Sequence, residues 1–269
     1  MARLDGITIG ITAQRRAAEF ADALQRHGAT VLHAPTIEIV SLPDDENLRA
    51  ATNDILAEPV DVLAVTTGAG FRGWLETAEG WGIGERLRAA LGSARIVVRG
   101  PKTKGAVRAA ELSESWSAPG ESNAELLEHL LAAGVSGLRV AVQVHGAPLP
   151  ELTDRLTGAG ASVVEVQPYR WQWPDDLSPA HRLLDAVLDG SVQALAFTSA
   201  PATRNLLTLA EQSGRYPELL NTLRAGAPVC ACVCPVTAAP LTELDIPTIQ
   251  PDRQRLGALV KLLTAHFGT

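Results

Sequence analysis

One segment of the chain reads Asp61-Val62-Leu63-Ala64-Val65-Thr66-Thr67-Gly68-Ala69-Gly70-Phe71-Arg72-Gly73-Trp74-Leu75, and a second reads Gln193-Ala194-Leu195-Ala196-Phe197-Thr198-Ser199-Ala200-Pro201-Ala202-Thr203-Arg204-Asn205-Leu206-Leu207. In both, an apolar run leads into two hydroxyl residues and then into a helical pattern with an arginine at the same place. Continuous apolar runs are typical of parallel strands that helices cover on both faces. The repeat therefore predicts an α/β fold with two copies of one strand–helix unit.

A second apolar strand follows each copy and ends in a Pro-x-Thr turn, within Arg95–Thr103 and within Pro228–Thr237. Strand–helix–strand segments that resemble each other also open at Gly6 and at Gly137. Because ligands bind at the carboxyl ends of parallel strands, the hydroxyl residues are expected at a binding edge. Hydroxyl groups and the N–H groups of the following helices favour anionic ligands there.

The remaining segments are assigned more coarsely. We expect extended connectors at 36–43 and 164–173, outside the sheets, because the first stretch is rich in isoleucine and valine and the second has a similar extended character around Tyr169. Apolar residues at helical spacing predict helices at 44–57, 123–133 and 255–266.

The composition excludes several classes of protein. The 269 residues are 46% hydrophobic, enough for a buried core, and no apolar run approaches the roughly 20 residues of a membrane helix. A net charge of -7 and only 4% aromatic residues argue against a nucleic-acid surface. The cysteines are too few for a disulfide framework and the N-terminus lacks a signal-peptide pattern, which predicts a cytoplasmic protein.

Two motifs that superficially suggest a zinc site and a dinucleotide site are not interpreted as such. The run Cys230-x-Cys232-x-Cys234 would place three sulfurs on one face of a strand, but its spacing is wrong for a zinc site and no second ligand pair is evident. A buried apolar strand is the better interpretation. The glycines of Gly68-x-Gly70-x-x-Gly73 match a dinucleotide fingerprint only superficially, because no acidic residue ends a second strand at the expected distance.

Taken together, these motifs resemble the uroporphyrinogen-III synthase family. The resemblance rests on the repeated strand–Thr–helix units, the turn Gly100-Pro101-x-Thr103, the connector Val166-x-Pro168-Tyr169, the run Phe197-Thr198-Ser199-Ala200 and the closing Pro235-Val236-Thr237. No single motif is specific, but their order and spacing extend over nearly the whole chain, from Ile9 to Leu263.

The resemblance implies two interleaved domains, each a parallel sheet flanked by helices. Residues 1–36 and 173–269 would form domain one, and residues 41–167 would form domain two. Residues 37–40 and 168–172 would form an extended two-stranded linker. The internal repeat alone would instead suggest a tandem division near Gly134, so the interleaving comes from the resemblance only.

The resemblance also implies a reaction. The family converts linear hydroxymethylbilane into uroporphyrinogen III in the cleft between the two domains, with loss of water and inversion of ring D through a spiro intermediate. This reaction would make the chain a hydro-lyase, and the resemblance implies that it uses no cofactor. Its partner would be a linear tetrapyrrole with eight carboxylates, and the protein is expected to act as a monomer without nucleic acid or membrane.

Site residues follow from the matching positions. Tyr169 corresponds to a cleft tyrosine proposed to hydrogen-bond the leaving hydroxyl, and the alternative is an interface tyrosine whose hydroxyl is satisfied. Groups that would bind substrate carboxylates are Arg15, Thr66, Thr67, Arg72, Thr103, His145, Thr198, Ser199, Arg204 and Thr237. Each hydroxyl residue among them could also serve as a helix cap, each arginine could be a surface residue, and His145 could be a solvated side chain at a strand end.

Two departures from the family pattern keep other functions open. Cys234 stands where the second Gly-Pro-x-Thr turn would have glycine, and His145 stands where the family often has arginine. One alternative is a non-catalytic tetrapyrrole-sensing domain of a transcriptional regulator, whose winged-helix part is not expected within this chain. A binding protein for another polyanion would share the same logic of anionic recognition.

Overall fold

The computed structural model describes residues 4–42 and 45–268, so the predicted helix start at Asp44, the connector end at Pro43 and the predicted domain termini at Met1 and Thr269 lie outside the described residues. Internal contacts divide the chain into two units, Met1–Glu38 with Gln172–Thr269, and Ile39–Trp171. Strands β3 (Glu38–Ser41) and β9 (Tyr169–Gln172) pair with each other in a sheet of two strands.

The discontinuous unit, called unit 1 here, contains a five-stranded sheet. Its elements are β1 (Thr8–Ile11), α1 (Ala17–Gln25), β2 (Thr30–His33), α8 (Ser178–Leu188), β10 (Ala194–Phe197), α9 (Ala200–Gln212), α10 (Tyr216–Arg224), β11 (Val229–Cys232), α11 (Pro235–Thr242), β12 (Thr248–Ile249) and α12 (Leu256–Phe267). The strand order is β12-β11-β10-β1-β2, and every pairing is parallel.

Unit 2, the continuous unit, repeats this architecture. Its elements are α2 (Glu46–Ala57), β4 (Val62–Val65), α3 (Gly68–Gly80), α4 (Gly84–Gly92), β5 (Arg95–Val98), α5 (Pro101–Ala109), β6 (Glu114–Ser117), α6 (Asn123–Ala133), β7 (Arg139–Gln143), α7 (Pro150–Gly158) and β8 (Ser162–Val166). The strand order is β6-β5-β4-β7-β8, and again every pairing is parallel.

The central strands explain why both sheets are covered on two faces. All four residues of β4 and all four of β10 are buried. Alternate residues of β10 contribute to different apolar clusters, since Leu195 packs in one core and Ala194 in the other. The predicted α/β fold, with parallel sheets flanked by helices, is confirmed.

The two sheets place equivalent residues in the same register. In unit 2 the strand β4 pairs with β7 so that Ala64 faces Val142, and in unit 1 the strand β10 pairs with β1 so that Ala196 faces Ile11. The residue after Ile11 is Thr12, which therefore occupies the position that Gln143 occupies in unit 2.

Two details of the sequence-based assignment were wrong. The stretch 164–173 is not entirely a connector, because residues 164–166 belong to β8 and pair with β7. Cys234 does not lie in a strand with the other two cysteines, because β11 ends at Cys232. Burial of Cys232 raises the pKa of its thiol to about 12, and burial also raises the pKa of Cys230, as expected of apolar strand residues.

Candidate functional site at the carboxyl edges of the sheets

The carboxyl edge of unit 2 begins where β4 gives way to α3. Thr67 has extended backbone angles and is the N-cap of α3, with its hydroxyl accepting a hydrogen bond from the Gly70 N–H at 3.2 Å. This confirms Thr67 as a helix cap. Thr66, predicted as a possible cap, is instead fully buried and donates its hydroxyl to the Gln143 carbonyl oxygen at 2.8 Å, which ties β4 to β7.

Gln143, the last residue of β7, has no solvent exposure and organises this edge. Its Oε1 accepts a hydrogen bond from the Thr67 backbone N–H at 3.1 Å. Its Nε2 donates to the Val144 carbonyl oxygen and, at 3.5 Å, to Thr67 Oγ1. Gln143 was not predicted as a site residue, although a glutamine at the end of a continuous apolar strand is a signal in the sequence.

Tyr169 lies at the same edge. Its hydroxyl is 3.3 Å from Thr67 Oγ1, and its ring approaches the first turn of α3 closely. A Cβ atom at Gly70 would lie 2.9 Å from the Tyr169 ring and 2.3 Å from Gln143 Nε2. Glycine is therefore required at position 70 by close packing, not by its backbone conformation.

Trp171 follows Tyr169 at the spacing that puts both side chains on one face of β9. Its ring lies edge-on to the His145 ring, with centroids 5.2 Å apart. Gly146 has a φ of 73°, and a Cβ there would lie 2.3 Å from the indole. Glycine is therefore required at position 146 for two reasons, the left-handed backbone conformation and the close contact with the Trp171 ring.

The structure corrects the expectation that His145 is solvated. Burial, together with the nearby charge of Arg99, lowers the pKa of His145 to about 4. Its Nδ1 is buried without a hydrogen-bond partner among the described residues. At neutral pH the ring is uncharged, so it could meet a carboxylate only as a neutral hydrogen-bonding group.

Thr103 lies at the start of α5, but it is not the cap that sequence analysis allowed. The N-cap of α5 is Gly100, and Thr103 is the third residue of the helix and is 3% exposed. No side chain of the described residues caps α5, so the N–H groups of its first turn remain suited to an anion.

The corresponding turn in unit 1 has the same form. Thr237 is the third residue of α11 and 3% exposed, and the N-cap is Cys234, whose Sγ lies 3.3 Å from Thr237 Oγ1. Capping by Thr237 is thus also wrong. Cys234 has a φ of -166° and Gly100 a φ of 173°, so both are extended and the backbone at Cys234 does not require glycine.

The hydroxyl pair of unit 1 differs from that of unit 2. Ser199 occupies the N-cap position of α9, yet its hydroxyl accepts no hydrogen bond from the helix. Thr198 precedes it and is half-buried, and it is not a cap. Thr12 has no solvent exposure, and its hydroxyl has no partner among the described residues.

Three predicted arginines lie on the surface. Arg72 and Arg204 are both exposed and are each the fifth residue of their helix, α3 and α9, so their equivalence in the repeat extends to the structure. Arg15 is exposed just before α1. Among the predicted site residues, the structure joins Tyr169 directly to Thr67.

The described part of the chain has neither a membrane-spanning helix nor a group of metal-ligating side chains. No helix there is long and apolar enough to cross a membrane. No three His, Cys, Asp or Glu side chains among those residues are grouped so that they could hold a metal ion.

The family model and the solved structures that match this chain indicate one family. A sequence model described as uroporphyrinogen-III synthase HemD matches residues 18–261. The uncharacterized protein YjjA of Bacillus subtilis is 27% identical over 97% of this chain and 96% of its own length. The structure of a mutant uroporphyrinogen III synthase from Thermus thermophilus is 27% identical with a TM-score of 0.80, over 96% of this chain and 98% of that one. The wild-type Thermus enzyme in another crystal form is 28% identical with a TM-score of 0.65, over 96% and 97%.

Proposed function

The chain belongs to the uroporphyrinogen-III synthase family, an enzyme family of tetrapyrrole synthesis, and we propose that it cyclises hydroxymethylbilane to uroporphyrinogen III. The observation that carries the proposal is the hydrogen bond between Tyr169 and Thr67 at the carboxyl edge of unit 2. Ligands bind at this edge in parallel α/β sheets. The edge thus holds the phenol of Tyr169, which can act as a proton donor, against Thr67, the N-cap of α3.

The proposed reaction needs acid catalysis at one step, the loss of the substrate hydroxyl as water. Tyr169 gives its proton to the hydroxyl of the substrate, the carbon–oxygen bond breaks and water leaves with the bonding electron pair. A pyrrole nitrogen supplies electrons to the carbon, which gives a cationic azafulvene beside the phenolate. The substituted α-carbon of ring D attacks this azafulvene carbon and forms the spiro intermediate. The bond from that α-carbon to the methylene of ring C then breaks, which leaves a second azafulvene on ring C, and the free α-carbon of ring D attacks it, so that ring D is inverted. The proton lost from that α-carbon on aromatisation returns to Tyr169. Only water is released, so atoms and charge balance.

In this proposal, the other residues at the carboxyl edges bind the carboxylates of the substrate. The eight carboxylates of the substrate suit N–H groups at the starts of α5 and α11, near Thr103 and Thr237. Exposed Arg15, Arg72 and Arg204 add charge-assisted contacts.

The hydroxyl groups of the remaining edge residues differ in availability for this task. Thr198 and Ser199 are half-buried, and Ser199 does not use its hydroxyl as a cap. Thr66 is buried and its hydroxyl donates to the Gln143 carbonyl oxygen of β7, so Thr66 stabilises the edge instead of binding substrate. His145 contributes a neutral ring.

The departure at Cys234 does not argue against catalysis. Its extended backbone is one that any residue adopts, so the turn keeps its course without glycine. This removes one reason to prefer a non-catalytic sensor.

The test is a coupled assay. Hydroxymethylbilane is supplied to the protein, the products are oxidised, and the uroporphyrin isomers are separated. We expect isomer III well above the isomer I that forms spontaneously, with heat-inactivated protein as the control. Isomer I alone, with tight tetrapyrrole binding retained, would contradict the proposal and favour the sensor.

A further inference from the structure

We propose that Gln143 is a positioning residue that sets the direction of the hydrogen bond between Thr67 and Tyr169. The inference rests on the proposed role of Tyr169 as proton donor. It assigns to a buried amide the task of preparing that donor.

The orientation of the Gln143 amide is fixed by the backbone around it. The Thr67 N–H can only donate, so the atom facing it at 3.1 Å must be the amide oxygen. The Val144 carbonyl can only accept, so it must face the amide nitrogen. Both neighbours demand the same orientation, and the second N–H of the amide is thereby directed at Thr67 Oγ1.

Thr67 Oγ1 then receives two donors. The Gly70 N–H approaches at 3.2 Å and Gln143 Nε2 at 3.5 Å. A hydroxyl has two acceptor lone pairs and one hydrogen. With both lone pairs engaged, the hydrogen of Thr67 is the one that bridges the 3.3 Å to the Tyr169 oxygen.

This direction matters for proton transfer. When Thr67 donates to the phenol oxygen, the hydrogen of Tyr169 is not the one shared with Thr67. As Tyr169 passes its proton to the departing hydroxyl, negative charge develops on the phenol oxygen, and a donor already aimed at that oxygen stabilises the charge. In the reverse direction the phenol would donate to Thr67 and be turned away from its task.

Packing makes the arrangement specific to glutamine. Gln143 has no solvent exposure, so water is not at hand to replace its amide. The missing Cβ of Gly70 leaves the space in which the amide, Thr67 and the Tyr169 ring meet. Asparagine would be one methylene too short to reach both backbone groups.

The experiment compares Gln143→Leu, which keeps the volume, with the wild type in the coupled assay. We expect kcat to fall about tenfold while KM changes less than about twofold, because the lost contact acts in the transition state. The matched control is Gln193→Leu, since Gln193 also bridges backbone groups, accepting from the Thr8 N–H at 2.8 Å at the amino edge of unit 1. Its kinetics should equal those of the wild type.

A double variant separates positioning from general loss of structure. If Gln143 acts through Thr67, then Gln143→Leu added to Thr67→Val should lower kcat no further than Thr67→Val alone. Multiplied effects of the two substitutions would overturn the proposal. Should Gln143→Leu fail to fold, Gln143→Asn is measured in its place.

A spectroscopic measurement needs no turnover. The chain has two tyrosines, Tyr169 and Tyr216, so incorporated 3-fluorotyrosine gives two fluorine resonances, assigned with Tyr216→Phe. We expect Gln143→Leu to shift or broaden the Tyr169 resonance and to leave that of Tyr216 in place. An unmoved Tyr169 resonance with unchanged kcat would overturn the role of Gln143. Absence of isomer III in the wild type would overturn the proposed function, and the fluorine spectra would still decide whether Gln143 holds Tyr169.

Discussion

The carboxyl edges of unit 1 and unit 2 share strand order and register but differ in their polar groups. In unit 2, Gln143 fills the position after the apolar strand and its amide holds Thr67. In unit 1, Thr12 fills the same position and its hydroxyl has no partner among the described residues. The repeat therefore supplies two edges with equivalent backbones, and among the described residues the connected network that reaches Tyr169 lies in unit 2.

The difference teaches that an internal repeat preserves the backbone more strictly than the side-chain chemistry. Equivalent helix starts remain open to anions in both units, at α5 and at α11. The polar network, by contrast, depends on single residues that the two copies do not share. Under the proposed function we expect proton transfer at the edge of unit 2, whereas the open helix starts of each unit are suited to anions.

The largest expected effect separates the two tyrosines. Tyr169→Phe should lower kcat about a hundredfold to a thousandfold, the usual contribution of a positioned acid, with little change in substrate affinity. Tyr216→Phe, on α10 of unit 1, should leave both unchanged. Rates of isomer III formation and equilibrium binding of the substrate measure the two quantities, and an equal loss in both would reduce Tyr169 to a binding group.

A second effect concerns acid stability. The pKa of His145 is about 4 in the folded protein, against an ordinary value near 6.5 in the unfolded chain. Above pH 6.5 the ring is neutral in both states, and as the pH falls from 6.5 to 4 only the unfolded chain takes up the proton. Stability should therefore fall over this window by about 3 kcal/mol.

Urea titrations at several pH values check this expectation. His145→Gln should flatten the pH dependence by that amount, whereas His181→Gln, at an exposed position on α8, should retain the slope of the wild type. Parallel curves for His145→Gln and the wild type would show that the buried ring is not the source.

The third effect contrasts the two N-caps. Thr67→Ala should lower the free energy of unfolding by about 1–2 kcal/mol, because the Gly70 N–H loses its acceptor. Ser199→Ala should change it by less than about 0.5 kcal/mol, because the Ser199 hydroxyl caps nothing. Denaturant unfolding of each variant gives the comparison, which fails if both lose the same stability.

The smallest effect contrasts two fully buried threonines. Thr12→Val replaces an unpaired hydroxyl by a methyl group and should stabilise the protein by up to about 1 kcal/mol. Thr66→Val removes a hydroxyl that donates to the Gln143 carbonyl and should destabilise it by about 1 kcal/mol. Changes of the same sign in thermal unfolding would argue that the two hydroxyls have equivalent surroundings.

Strand type and sheet architecture could be predicted from the sequence because continuous apolar runs carry that information locally. The helix Asn123–Ala133 was predicted at its observed bounds from its leucine-rich face, and the structure shows a capping box at Ser122 that fixes its start. The end of β8 was not, because extended residues in a strand and in a connector have the same local pattern.

The site was only partly accessible to sequence reasoning. Thr67 and Tyr169 were both predicted, yet their contact joins residues 102 positions apart and depends on how β9 lies against the edge. Gln143 was overlooked because burial of an amide cannot be seen in a chain whose neighbouring residues are all apolar. The neutral state of His145 follows from its burial beside Trp171, which is a tertiary contact.

The central claim is that the carboxyl edge of unit 2 supports the proton donor, whereas the hydroxyl groups at the edge of unit 1 contribute to substrate binding. The matched variants Thr67→Val and Ser199→Ala test this claim most directly. Steady-state kinetics with hydroxymethylbilane should show a lower kcat and an unchanged KM for Thr67→Val, because the support of Tyr169 is lost. Ser199→Ala should show a raised KM and an unchanged kcat, because only a binding hydroxyl is lost. The same change in the same constant for both variants would contradict the division.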